Sequence, residues 1–264
     1  MAVRLDDYAD AYRDIRFERR GGVLEMTLHS AGGPLLWNDQ IHTDLGDAFY
    51  RVAQDTENRV VILTGAGEAF CPGPDPDSFH FDASVPPVAL DQIYREGKAM
   101  LINQLAVPVP MIAAVNGPAA AHSELPLFCD IMLAADTASF SDQHLNWGIV
   151  PGDGIHIAYP MAFGMNRGRH LALTGTPVTA RQALDWGAVA EVLPPDRLRD
   201  RAWAIGSELA TRPILGLRYT RELLTREIQR QMRDNLGYGL ALEGFASGYG
   251  SWGSTLHTDD QATR

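Results

Sequence analysis

The sequence predicts an α/β protein. Short, fully apolar runs such as RVVILTG (59–65) and MIAAVNG (111–117) have the length and composition of buried parallel strands. Stretches with helical spacing lie between such runs, and past Pro195 the chain reads as almost all helix with Arg-rich outer faces.

Taken in order, residues 16–29 predict a hairpin turning at Gly21-Gly22, with VLEMTLH alternating between faces. Asn38 is placed to cap a helix reaching about Arg51, where Leu45, Phe49 and Val52 recur at helical spacing. The strand 59–65 stops at Gly65 and Gly67. FCPGPDPDSFHFDASVPP (70–87) is a long Pro/Gly-rich loop of the kind that carries a site. Asp91 to Leu105 predicts a helix broken by Pro108 and Pro110, followed by the strand MIAAVNG. PAAAHSELPLFCDIMLAA then holds a short helix and a further strand, and Thr179-x-x-Gln182 is a capping box opening a helix to Trp186. No repeat or linker divides the chain. The expected organisation is a core over 13–195 that carries the site, a helical region over 196–250, and flexible ends at 1–12 and 251–264.

Composition narrows the function. The chain has 264 residues and a net charge of -11, which argues against nucleic acid as a partner. Lys98 is the only lysine, so lysine nucleophiles and Schiff bases drop out almost entirely. No apolar run reaches the roughly 18 residues of a membrane span, and the charged N-terminus lacks the apolar centre of a secretory signal. Cys71 and Cys129 have neither disulfide-scaffold numbers nor metal-ligand spacing; reduced thiols in a cytoplasmic protein are expected. No metal-binding or nucleotide-binding motif is present, so neither cofactor is expected.

Polar residues of unusual placement cluster at three junctions: the 70–79 loop, AVNGPAAAHSE with His122, and SFSDQHLNWGIVPGDGIHIAY, where His144 and Asp153 flank a tight Gly/Pro turn. Alone, His144 reads as a surface histidine and Asp153 as a turn former. Together around one turn they read as a base and a carboxylate that orients it. His122 has little packing reason to interrupt a Gly/Ala-rich stretch.

VVILTGAGEAFCPGPD, VPVPMIAAVNGPAA, ELPLFCDIMLAA, ASFSDQHLNWGIVPGDG and LTGTPVTARQALDWGAVAEVLP resemble the enoyl-CoA hydratase (crotonase) superfamily, from about residue 13 to residue 250. The resemblance implies a spiral of ββα units, a helical C-terminal trimerisation region, and a homotrimer or dimer of trimers. It also exposes a departure. Superfamily members that use coenzyme A thioesters hold the enolate oxygen with two backbone N–H groups. The first of these positions is here Pro74, which has no N–H. The glycine run that supplies the second is here Ala119, Ala120, Ala121 and His122, one residue short. One missing donor costs about 3–4 kcal/mol of transition-state stabilisation.

The same segments resemble the superfamily's β-diketone hydrolase branch, typified by oxocamphor hydrolase. The matching positions are Trp37, His42, His122, His144, Asp153 and Glu243, with Phe79 as an aromatic wall of the pocket. The resemblance implies a cofactor-independent hydrolase acting on a small-molecule diketone. His144, neutral and oriented by Asp153 and Glu243, would activate water; His122 would stabilise the oxyanion with Trp37 or His42; Asp153 or the histidine would return the proton. Two rivals stay open. One is a coenzyme A-dependent hydratase, isomerase or thioester hydrolase using Glu124 with His144. The other is a fold kept as a binding or scaffold subunit.

Overall fold

In a computed structural model, residues 3–77 and 85–247 are described. Phe79 therefore lies outside the described residues, as does the tail beyond 247. The strands are β1 (Ile15–Arg20), β2 (Val23–Leu28), β3 (Leu36–Trp37), β4 (Val60–Gly65), β5 (Gly73–Pro74), β6 (Met111–Val115), β7 (Ile131–Ala135), β8 (Ser139–Phe140), β9 (Val178–Thr179) and β10 (Glu191–Leu193). The α-helices are α1 (Asp39–Gln54), α2 (Pro87–Ala106), α3 (Glu124–Leu127), α4 (Ile155–Phe163), α5 (Met165–Thr174), α6 (Ala180–Asp185), α7 (Pro195–Ala210) and α8 (Ile214–Ser247).

One six-stranded sheet runs β1-β2-β4-β6-β7-β10. Only the β1–β2 hairpin is antiparallel; every later pairing is parallel. Parallel strands are covered on both faces, and β2 and β6 are accordingly buried along their whole length. A second, smaller β layer follows from short segments just after the long strands. In it β3 pairs with β5, and isolated bridges join Cys71 to Ala119 and Ala119 to Phe140. Each unit thus reads long strand, short strand, helix, which is the ββα spiral. The short layer matters most, because Trp37, Pro74, Ala119–His122 and Phe140–His144 all lie in it or one step beyond.

Local chemistry sets the ends. Asn38 Oδ1 accepts from Ile41 N at 3.0 Å and opens α1, whose Leu45, Phe49 and Val52 are buried. The Thr179/Gln182 capping box forms on α6. Helix α2 starts at Pro87 rather than Asp91, because proline at the first helical position gives up only an N–H that has no partner there. Residues 3–12 are not a loose end: Tyr8 is 1 % exposed and its hydroxyl donates to Asp55 Oδ2 at 2.9 Å. Helix α8 is anchored by buried Arg221, which donates to Asp130 Oδ2 at 2.7 Å and to the carbonyls of Leu105 and Val107. That anchor fixes the helix whose far end carries Glu243.

Candidate active site

The cleft between the short β layer and α8 is lined by Trp37, His42, Pro74, His122, His144, Asp153 and Glu243, among others. The fold therefore brings together all the expected site residues that it describes. Asp153 is central. Its Oδ2 lies 3.4 Å from His122 Nδ1 and 3.5 Å from His144 Nε2, and Glu243 Oε1 lies 3.6 Å from the same Nε2. Asp153 is 5 % exposed and neither oxygen has a hydrogen-bond partner among the described residues. A buried carboxylate without donors is costly, and here it faces only the cleft and two imidazoles.

The approach of the 151–154 turn to α8 is built from two glycines. A Cβ on Gly152 would stand 2.1 Å from the Gly239 carbonyl oxygen, and one on Gly239 would stand 2.5 Å from the Gly152 oxygen. Any side chain there separates Asp153 from Glu243. Gly152→Ala is expected to cost about 1–3 kcal/mol, the range for overpacking. A displacement of about 1 Å at reacting groups costs on the order of 100-fold in rate. A melting curve and a kcat measurement check the two effects together.

His144 departs from expectation in two ways. The carboxylate that orients it is Asp142, not Asp153: Asp142 Oδ1 is 2.6 Å from His144 Nδ1, whereas Asp153 and Glu243 face the opposite nitrogen. The reason is local, since residues 142 and 144 flank the entry to a 3₁₀ turn (His144–Trp147) that points both side chains the same way. Its charge state differs as well. Burial opposes protonation, but Asp153, the hydrogen bond to Asp142 and Glu243 outweigh it, holding His144 well above the usual imidazole range. That direction favours the cationic form over a neutral base. Glu243 is lifted by burial, an effect that the hydrogen bond to His144 partly offsets.

His122 is the opposite case. Burial pushes it down to about 3, despite the charge of Asp153. Its φ of 50° is left-handed, a conformation that histidine tolerates better than most residues and that marks functional positions. Its ring stacks on Trp37 at 3.5 Å, and its Nδ1 lies 2.7 Å from Glu124 Oε1. Glu124 is wholly buried and raised well above the carboxylate range by burial and by Asp153. Trp37 is 1 % exposed, with its Nε1 buried and unpartnered. His42 Nδ1 pairs with Glu96 Oε2 at 3.2 Å, and that hydrogen bond lowers Glu96 against the effect of burial.

Asp142 and Glu96 were not foreseen as partners, and Glu124 was weighed only as a hydratase acid. Two of the three left a signal: Asp142-x-His144 and His122-x-Glu124 share one spacing. Glu96 left none, because α2 meets α1 only through the tertiary fold. Two sets, His122/Glu124/Asp153 and His144/Asp153/Glu243, bring three donor atoms within 4.8 Å of one another and have the composition of a cation site. Sequence spacing showed no such gathering. In both sets the histidine Nδ1 is already paired with a carboxylate, an arrangement suited to proton transfer.

The backbone donors also resolve. The N–H groups of Ala120 and Ala121 both point to the Cys71 carbonyl, at 2.8 and 3.2 Å, and Pro74 lines the cleft without an N–H.

A family model described as enoyl-CoA hydratase/isomerase matches residues 18–243. The chain belongs to the enoyl-CoA hydratase/isomerase family. Within this crotonase family it is 35% identical over 198 residues to 1,2-epoxyphenylacetyl-CoA isomerase of Escherichia coli K12, covering 74% of this chain and 76% of that protein. It is 31% identical over 248 residues to carnitinyl-CoA dehydratase of Salmonella arizonae, covering 93% and 91%. Among solved structures, a beta-diketone hydrolase from the cyanobacterium Anabaena sp. PCC 7120, bound to (S)-3-oxocyclohexyl acetic acid, superposes with TM-score 0.89. The two are 44% identical, over 92% of this chain and 97% of that one. An enoyl-CoA hydratase/isomerase from Mycobacterium paratuberculosis superposes with TM-score 0.84 at 26% identity, over 92% and 98%. This crotonase-family enzyme has the expected fold, and no described helix is long and apolar enough to cross a membrane.

Proposed function

We propose that this enzyme is a hydrolase of cyclic or bicyclic β-diketones, adding water and breaking a C–C bond by a retro-Claisen reaction without a cofactor. One observation carries the reading. The backbone pair that holds a thioester enolate in coenzyme A-using relatives is altered here, since Pro74 lacks an N–H and those of Ala120 and Ala121 are engaged by the Cys71 carbonyl. Side-chain donors line the cleft instead: Trp37, whose buried indole N–H has no partner among the described residues, and the His122 ring. The likeness to the Anabaena hydrolase supports the same reading.

The charges support one sequence of steps. Glu243, held above the usual carboxylate range by burial, takes a proton from water as the oxygen attacks one carbonyl. Trp37 and His122 donate to the oxyanion that forms. Collapse breaks the bond to the carbon between the carbonyls, and the electron pair passes into the second carbonyl as an enolate. Cationic His144 gives that carbon its proton, and the proton on Glu243 resets His144 across the 3.6 Å gap. Asp153 keeps His144 charged between turnovers. The sum is diketone plus water to keto acid.

The test uses purified protein, no added cofactor, and the bicyclic β-diketone whose hydrolysis yields 3-oxocyclohexyl acetic acid, the acid found in the Anabaena enzyme. Loss of diketone absorbance with release of one acid per turnover is expected, with no turnover of crotonyl-coenzyme A. The coenzyme A-bearing relatives favour a second reading, and turnover of the thioester alone would establish it. A homotrimer or dimer of trimers is proposed in the cytoplasm. Leu215, Tyr219 and Leu223, exposed at one-turn spacing on α8, support self-association, which the solution mass of the same preparation checks.

A further inference from the structure

We propose that Glu124 is a neutral carboxylic acid that donates its proton to Nδ1 of His122, and thereby fixes His122 as the tautomer carrying its proton on Nε2. Glu124 is then a positioning residue; that the fixed tautomer serves an oxyanion rests on the hydrolase reading above.

The geometry demands one proton between the two groups. His122 Nδ1 and Glu124 Oε1 are 2.7 Å apart, too close for two facing lone pairs. If Glu124 were ionised it would be acceptor-only, so Nδ1 would hold the proton. A neutral His122 would then turn a bare, accepting Nε2 toward the substrate, useless for an oxyanion. If Glu124 is neutral, its O–H points at Nδ1 and the ring proton goes to Nε2.

Two observations favour the second arrangement. Glu124 is 0 % exposed, and its Oε2 has no partner, a state tolerable for a neutral acid's carbonyl oxygen and poor for half of a carboxylate. The groups around it are acidic: Asp142 and Asp153 press on it, and His144 is the one cation among its principal electrostatic neighbours. Asp153 Oδ2, 3.4 Å from the same Nδ1, pulls the other way, since it would accept from a protonated Nδ1; the Glu124 O–H has to outweigh it. Among the described residues, His122 Nε2 takes no hydrogen bond, so it is free to meet a ligand in the cleft.

The experiment is a long-range proton–nitrogen correlation spectrum of the uniformly ¹⁵N-labelled, substrate-free enzyme at neutral pH, in which the two neutral tautomers give distinct patterns. The wild type is expected to show His122 protonated on Nε2. Glu124→Gln is expected to keep that tautomer through its amide N–H. Glu124→Leu leaves Asp153 as the sole partner of Nδ1 and is expected to move the proton there. On the diketone, Glu124→Gln should stay within about threefold of wild type, while Glu124→Leu should fall at least about 100-fold, the scale of one lost oxyanion donor. A wild-type His122 protonated on Nδ1 or on both nitrogens overturns the proposal, as does a Glu124→Leu enzyme that keeps the proton on Nε2. Should Glu124→Leu not fold, infrared spectroscopy decides: the C=O stretch of a protonated carboxyl must be present in wild type and absent from Glu124→Gln. These spectra need no turnover, so an enzyme inactive on diketones would refute the hydrolase reading while the tautomer is still decided.

Discussion

Asp153→Asn is expected to lower kcat at least about 100-fold, the scale of general acid–base contributions, with little change in melting temperature. Both carboxylate oxygens are buried and unpartnered, so no structural hydrogen bond is lost on substitution. Exchanging the carboxylate for an amide of the same shape relieves the cost of burying the charge and gives up its attraction to His144, two opposed effects that keep the net change in stability small. Function suffers because Asp153 is the strongest influence holding the proton on His144, and the carboxylate shared by the two imidazoles loses its charge. Steady-state kinetics beside a thermal melt check this. Near-wild-type turnover in Asp153→Asn would remove the central carboxylate from the mechanism.

The second large effect is a pH dependence with a definite sign. A histidine whose pKa is raised in the folded enzyme is charged below that pKa and neutral above it. If cationic His144 is the proton donor, kcat/KM must fall on the alkaline side as His144 loses its proton. His144→Ala should abolish that limb with most of the rate, whereas His122→Ala should lower the rate and leave the limb in place. Asp142→Asn removes the charge at Nδ1, so the limb should move to lower pH. It should also lower kcat by up to about 10⁴-fold, the loss seen when the carboxylate behind a triad histidine becomes an amide. A limb on the acid side that disappears in His144→Ala would instead make His144 the base expected from sequence.

Much of this was readable before folding. The apolar runs at 59–65 and 111–117 became β4 and β6 because a strand buried on both faces has no room for polar residues. Asn38 and the Thr179/Gln182 box opened their helices because caps act within a few residues. Helices α4 and α5 gave no such signal. Pro160 sits inside α4, Gly164 separates the two, and α4 is apolar on all sides, so no amphipathic stripe marks it. Phe79 falls where no geometry is described.

For the site, the sequence by itself determined which side chains compete for the chemistry: Trp37, His42, His122, His144, Asp153 and Glu243, with Pro74 removing a backbone donor. Residue type fixes what each group can donate, accept or carry, and no fold can give proline an N–H. Only the tertiary structure decided the surroundings in which each histidine titrates. His122 and His144 are the same residue facing the same Asp153, yet one is driven down and the other up. The difference lies in the neighbours: Asp142 at Nδ1 and Glu243 at Nε2 help Asp153 outweigh burial at His144, whereas at His122 burial prevails, with His42 and His144 adding to it. Charge state depends on the distances to every neighbour and on the burial they share, and those are set by the β3–β5 layer and by α8 meeting at Gly152 and Gly239.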